Sequence, residues 1–130
     1  MKLIIAGTRR FPTGVVSVDD IDEMIRNAVY HASTETGRTP TEIVSGDSGI
    51  VDCRGNYWAH VNAVPLKKFP ADWDKLGKAA GPIRNLEMAR YADVLVAVWD
   101  GSSRGTRNMI ATMKKLGKPV FEFILGAKPA

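Results

Sequence analysis

The run Asp93-Val-Leu-Val-Ala-Val-Trp99 sets the tightest limit on what this chain can fold into. Its apolar residues are too few to span a bilayer and leave no polar side, so a strand built from them must be covered on both faces. Shorter versions recur at Lys2–Ala6, closed by Gly7, at Glu42–Ser45, closed by Gly46, and at Val64–Phe69 and Val120–Leu125. Lys67 and Lys68 mark Val64–Phe69 as a strand near a sheet edge. Helical patterns lie between these runs. Ser17 and Asp20 form a capping-box pattern ahead of Ile21, Ile25, Ala28, Val29 and Ala32, and Gly37 ends that helix. A second helix is expected around Tyr57–Asn62, with Trp58 and Val61 facing inward. A third starts at Gly81-Pro82 and continues through Ile83, Leu86 and Ala89-Arg90. A fourth covers 104–116, with Met109, Ile110 and Met113 inward and Gly117 as its stop. Strict strand–helix alternation predicts an α/β fold, a single three-layer domain over residues 1–126 with a mostly parallel sheet of about five strands. Residues 127–130 read as a loose tail.

Composition narrows the class. A chain of 130 residues, 45% hydrophobic and 25% charged, can bury a real core, which excludes a disordered or fibrous protein. The single cysteine, Cys53, cannot form an internal disulfide, so no oxidising compartment is required. Met1-Lys2 leads straight into a strand-like run without a cleavage-site pattern, and the expected location is cytoplasmic, with no membrane partner. Residues 1–65 hold 6 basic and 8 acidic side chains and residues 66–130 hold 12 and 6, so the halves carry −2 and +6. A basic second half suits a phosphate-bearing partner. Lys114, Lys115 and Lys118 are read more simply, as cations solvating a helix face and its negative end.

Ligands of open parallel sheets bind at the carboxyl ends of the strands, near the point where strand order reverses. Three loops there are unusual: Gly7-Thr8-Arg9-Arg10, Ser45-Gly46-Asp47-Ser48-Gly49 and Asp100-Gly101-Ser102-Ser103-Arg104-Gly105-Thr106. The last joins glycines, hydroxyl donors and an arginine fork to the start of a helix, a combination suited to phosphate. A polar turn in which Ser102 or Ser103 merely caps the helix is the plain alternative. Neither a Walker lysine pattern nor a clean G-x-G-x-x-G is present, which argues against ordinary NTPases and dehydrogenases. Arg84-Asn85 begins a helix that can reach the same edge, and Trp73 is either a stacking surface for a base or a core anchor. His31 and His60 lack metal-ligand spacing with Cys53 and are read as structural, Cys53 beside Arg54 has no paired histidine to make it a nucleophile, and neither a metal nor a cofactor is expected.

The segments Ile5-Ala-Gly-Thr-Arg-Arg-Phe11, Val44-Ser-Gly46 with Asp52 and Trp58-Ala59, Phe69-Pro-Ala-Asp-Trp73, Gly77-Lys-Ala-Ala-Gly-Pro-Ile-Arg-Asn85, Tyr91-Ala-Asp93 and Trp99-Asp-Gly with Ser103-Arg-Gly-Thr106 together resemble the YspA/YpsA-related branch of the SLOG superfamily. The resemblance covers nearly the whole chain and implies a Rossmann-like fold that binds nucleotides or nucleotide-derived ligands, in bacteria and often in their phages. Taken with the loops above, the candidate ligand contacts are Gly7, Thr8, Arg9, Arg10, Gly46, Asp47, Ser48, Asp52, Trp73, Arg84, Asn85, Asp100, Gly101, Ser103, Arg104, Gly105 and Thr106. Relatives of the LOG type cleave the N-glycosidic bond of nucleoside monophosphates with a glutamate close behind the Gly-Thr pair. Here Asn108 and Met109 follow, and neither ionises. The second loop of the family reads Ser-Gly-Gly-Ala-Arg-Gly-x-Asp, with a glutamate before the tryptophan. In this chain Asp47 and Ser48 break that pattern and Asn56 replaces the glutamate.

Glycosidic hydrolysis needs a carboxylate to activate water or stabilise an oxocarbenium-like centre. Its loss favours a non-catalytic nucleotide binder, with no catalytic residue assigned, that senses or sequesters a signal of cyclic-nucleotide or ADP-ribose type, as a phage anti-defence sponge would. A phosphoribohydrolase drawing its acid from Asp47, Asp52 or Asp100 is the second reading. Single-stranded nucleic-acid binding, hinted at only by Trp73 with Lys67, Lys68, Lys75 and Lys78, is the third and weakest. A homodimer or larger assembly is expected, paired through the apolar helices at 21–32 and 104–116.

Overall fold

Five parallel strands form the centre of the molecule, a computed structural model that describes residues 1–126. The tail expected at 127–130 lies outside the described residues. The strands are β1 (Lys2–Gly7), β2 (Glu42–Ser45), β3 (Leu66–Lys68), β4 (Val94–Trp99) and β5 (Val120–Ile124), in the order β3-β2-β1-β4-β5. The register pairs Leu3 with Glu42's neighbour Ile43 on one side of β1 and with Val94 on the other. Chain order therefore reverses between β1 and β4, which places the switch point at their carboxyl ends.

Helices α1 (Val18–Thr36) and α2 (Ile50–Val61) cover one face; α4 (Ala80–Tyr91) and α5 (Arg104–Lys115) cover the other. A short α3 (Trp73–Leu76) and a 3-10 turn at Gly77–Ala79 lead into α4. The period of two along the strands sorts the core. Leu3, Ile5, Val94, Val96 and Val98 join α1 and α2, while Ile4, Ala6, Leu95, Ala97 and Trp99 join α4 and α5. The result is the three-layer, Rossmann-like α/β architecture, with a sheet that is parallel throughout.

The α1 capping box forms as expected, with Ser17 Oγ accepting from Asp20 N–H and Asp20 Oδ2 accepting from Ser17 N–H, and Gly37 ends the helix in the left-handed region. The second helix departs from expectation. It begins at Ile50, and Val51, Asp52, Gly55 and Ala59 form its buried side, while Val61 is exposed and Trp58 only half-buried. Lys118 also does more than solvate a helix end. Its Nζ donates to the carbonyls of Ala89, Arg90 and Ala92, closing the C-terminus of α4. The apolar faces of α1 and α5 pack onto the sheet of their own chain, so the residues invoked for pairing are already covered. Among the described residues, no helix is long and apolar enough to cross a membrane.

Candidate functional site

A crevice of about 1060 Å³ opens at the carboxyl ends of β1, β2 and β4, where strand order reverses. Gly7, Thr8, Arg9, Arg10, Gly46, Ser48, Asp52, Trp73, Arg84, Asn85, Ser103, Arg104, Gly105 and Thr106 line it, as the sequence suggested they would gather. Asp47, Asp100 and Gly101 stand outside its lining. Ala6, Gly49, Lys78, Gly81, Pro82, Met88, Asn108 and Met109 complete the wall; most of them lie within the motif segments but are not among the candidate ligand contacts.

The three loops are knitted together. Thr8 Oγ1 accepts from the Asp100 N–H at 3.0 Å and shares a hydrogen bond with Ser103 Oγ at 3.1 Å. Arg9 O accepts from Ile50 N–H, and Arg9 Nε donates to Ser48 O at 2.8 Å. Gly49 permits this crossing, since a Cβ there would come within 2.4 Å of Arg9 Cα. Gly46 makes room for a side chain: a Cβ would lie 2.7 Å from an Arg84 guanidinium nitrogen. Both glycines thus serve the packing of the protein on itself. Gly105 differs, because a Cβ on it would meet nothing within 4 Å.

Arg84 is 8% exposed, unlike an ordinary helix arginine. It donates to Gly46 O at 2.7 Å and to Asn85 Oδ1 at 3.0 Å. Asn85 passes the chain on, donating to Gly105 O and to Asn108 Oδ1 at 2.9 Å. Asn108 therefore orients the arginine through Asn85 and holds the start of α5 against α4. Burial lowers the Arg84 pKa, opposed by the Asp52 charge, yet a guanidinium remains cationic throughout the physiological range.

Two aspartates behave in opposite ways. Asp52, 7% exposed on α2, accepts at Oδ2 from the N–H and hydroxyl of Ser48. Burial still raises its pKa above the ordinary carboxylate value, against those bonds and the Arg84 charge. Burial also pushes Asp100 upward, but hydrogen bonds from Ser102 and Ser103 outweigh it and the net shift is downward. Asp100 shapes its own loop. It holds Ser103 Oγ, so Ser103 occupies the N-cap position of α5 without capping it. Asp47 sits at φ 51° and is paired with Lys68 at 3.4 Å and with Asn56 Nδ2 at 3.0 Å. An amide at Asn56 fits this neighbour, since a carboxylate there would repel Asp47.

A parallel-sheet protein with a cationic crevice at its switch point is the class that fold and site define. The chain belongs to the same family as the Gene 61 protein of Mycobacterium phage D29, to which it is 48% identical over 114 residues, spanning 80% of this chain and 89% of that protein. No family model matches the chain, and no solved structure matches it closely.

Proposed function

We propose that the crevice binds a nucleotide-derived small molecule through its phosphate and that the protein senses or sequesters this ligand without turning it over. The observation that carries the reading is the start of α5. Its first backbone N–H groups have no side-chain cap, Gly105 leaves the approach open, and Arg104 stands beside them. Arg9, Arg10, Lys78 and Arg84 add positive charge to the same walls, against one carboxyl among the described residues, Asp52. The volume suits a ligand of nucleotide size or larger. Homology to a phage protein supports a viral setting, in which withdrawing a host nucleotide signal of cyclic or ADP-ribose type is the role. The test is to incubate the protein with cell nucleotide extracts, wash, denature it and identify what is released. Recovery of one intact nucleotide is expected; failure to retain any phosphorylated compound overturns the reading.

One observation favours the hydrolase reading as its rival. Asp52 is an acid with a raised pKa on the crevice wall, the property required of a proton-transferring carboxyl. Release of free base by the parent protein, lost in Asp52→Asn, decides for the enzyme. Asp47 and Asp100 offer no comparable geometry, being committed to Lys68 and Asn56 and to Ser102 and Ser103. For nucleic acid the support is thin, since of Lys67, Lys68, Lys75 and Lys78 only Lys78 lines the crevice.

A further inference from the structure

The three tryptophans of the chain occupy different environments. Trp99 is 6% exposed within the α4–α5 core, and Trp58 packs partly against the opposite core. Trp73 is 45% exposed and, among the described residues, is the one aromatic side chain on the crevice wall. A large apolar ring gains from burial, so leaving one half in solvent beside a polar crevice forgoes stability that a core position would supply.

The ring is nonetheless held. Asp72 caps the short α3, accepting from Lys75 N–H at 3.1 Å. The indole leans on α4 at Gly81, where a Cβ would come within 3.1 Å of its Cη2. The Arg9 guanidinium stands over the ring at 5.8 Å from its centre, near the roughly 6 Å outer limit of a cation–π contact, and so brings a positive charge beside the indole. A flat, electron-poor ring is the chemistry that an indole in such a position recognises.

We propose that Trp73 is the base-binding wall of the crevice, so that the site takes a nucleoside phosphate, its aromatic base stacked on the indole, in preference to a sugar phosphate or an inorganic phosphate. The proposal rests on the phosphate-binding reading of the α5 start and adds the part of the ligand which that reading leaves open. Gly81 becomes a positioning residue for the base, because even a methyl there makes the indole give way by a few tenths of an ångström.

Calorimetric titration with the four nucleoside 5′-monophosphates, with ribose 5-phosphate and with pyrophosphate tests this. The parent protein is expected to bind at least one nucleoside monophosphate more tightly than ribose 5-phosphate. Stacking strengths imply that Trp73→Ala then loses about five- to a hundredfold in affinity for that nucleotide, while ribose 5-phosphate binding changes by less than about twofold. Trp73→Phe should retain most of the preference, and Gly81→Ala should lose part of it. Equal losses for nucleotide and sugar phosphate, or no loss for either, overturn the base wall but leave the phosphate site standing. A parent protein that binds none of the probes removes the phosphate reading and this proposal together.

Discussion

The two sides of the crevice are built on opposite plans. On the β2 side, Gly46 and Gly49 are filled by Arg84 and Arg9, Ser48 is committed to Asp52, and the only carboxyl lining the crevice among the described residues lies there with a raised pKa. On the β4 side, Asp100 is held ionised by the loop it organises, Gly105 faces open space and Arg104 is exposed. Similar glycine-rich sequences thus do different work. One loop is closed on the protein itself, and the other is left open for something else.

The contrast is broken most forcefully through the glycines. Gly49→Ala puts a methyl 2.4 Å from backbone of the neighbouring loop, which no rotamer change relieves. It should lower folding stability by about 3 kcal/mol in denaturant titration. Gly105→Ala should instead leave stability unchanged or raise it by about 0.5 kcal/mol, through helix propensity, while weakening phosphate binding. Similar stability losses from both would mean that the two loops are equally closed.

The arginines sharpen the same division. Arg84→Ala leaves Gly46 O and Asn85 Oδ1 without their donor in a buried setting and should cost about 2 kcal/mol of stability. Arg104→Ala, at an exposed position, should leave the unfolding midpoint of the free protein nearly unchanged and weaken phosphate binding at least about tenfold. Unchanged affinity in Arg104→Ala takes the phosphate away from the α5 side.

Much of this plan was legible in the sequence and some was not, for physical reasons. Continuous apolar strands and the Ser17–Asp20 box are local signals, whereas the order β3-β2-β1-β4-β5 is set by pairing between distant segments and no local pattern carries it. The early start of α2 was hidden by Gly55, which costs a helix about 1 kcal/mol in isolation and so reads as a break. In the fold it lets α2 approach β1, since a Cβ would come within 2.9 Å of Ile5 Cγ2. Arg84 was placed at the right edge by its helix, but its burial depends on Gly46, thirty-eight positions away. Motif spacing also grouped Asp47 and Asp100 with the ligand contacts. Their partners, Lys68 and Thr8 among them, come from other elements and are invisible to spacing.

Asp52 supplies a pH test of the closed side. The unfolded carboxyl ionises near its ordinary value, whereas burial raises the folded value above it. Between the two the folded state binds the extra proton, so this group's contribution to stability declines as pH rises through that window and stays diminished above it. Asp52→Asn keeps an acceptor for Ser48 and removes the charge. Its stability should fall less with rising pH than that of the parent in urea titrations, with a net gain at neutral pH smaller than the Arg84→Ala loss. Parallel pH profiles would show that Asp52 is ionised without penalty.

The smallest effect belongs to Asp47, which stands outside the crevice lining. Its φ of 51° lies in the left-handed region, where asparagine is accommodated as readily as aspartate. Asp47→Asn therefore leaves the backbone undisturbed and removes only the half-exposed ion pair with Lys68, worth at most about 0.5 kcal/mol. The Asn56 Nδ2 donor keeps an oxygen acceptor. Nucleotide affinity should shift by less than about twofold, and any shift should be upward, since a negative charge near a cationic crevice is lost. A tenfold loss would place the Asp47 carboxylate on a ligand hydroxyl, so that the β2 loop must open when ligand binds and the two sides differ only in the free protein.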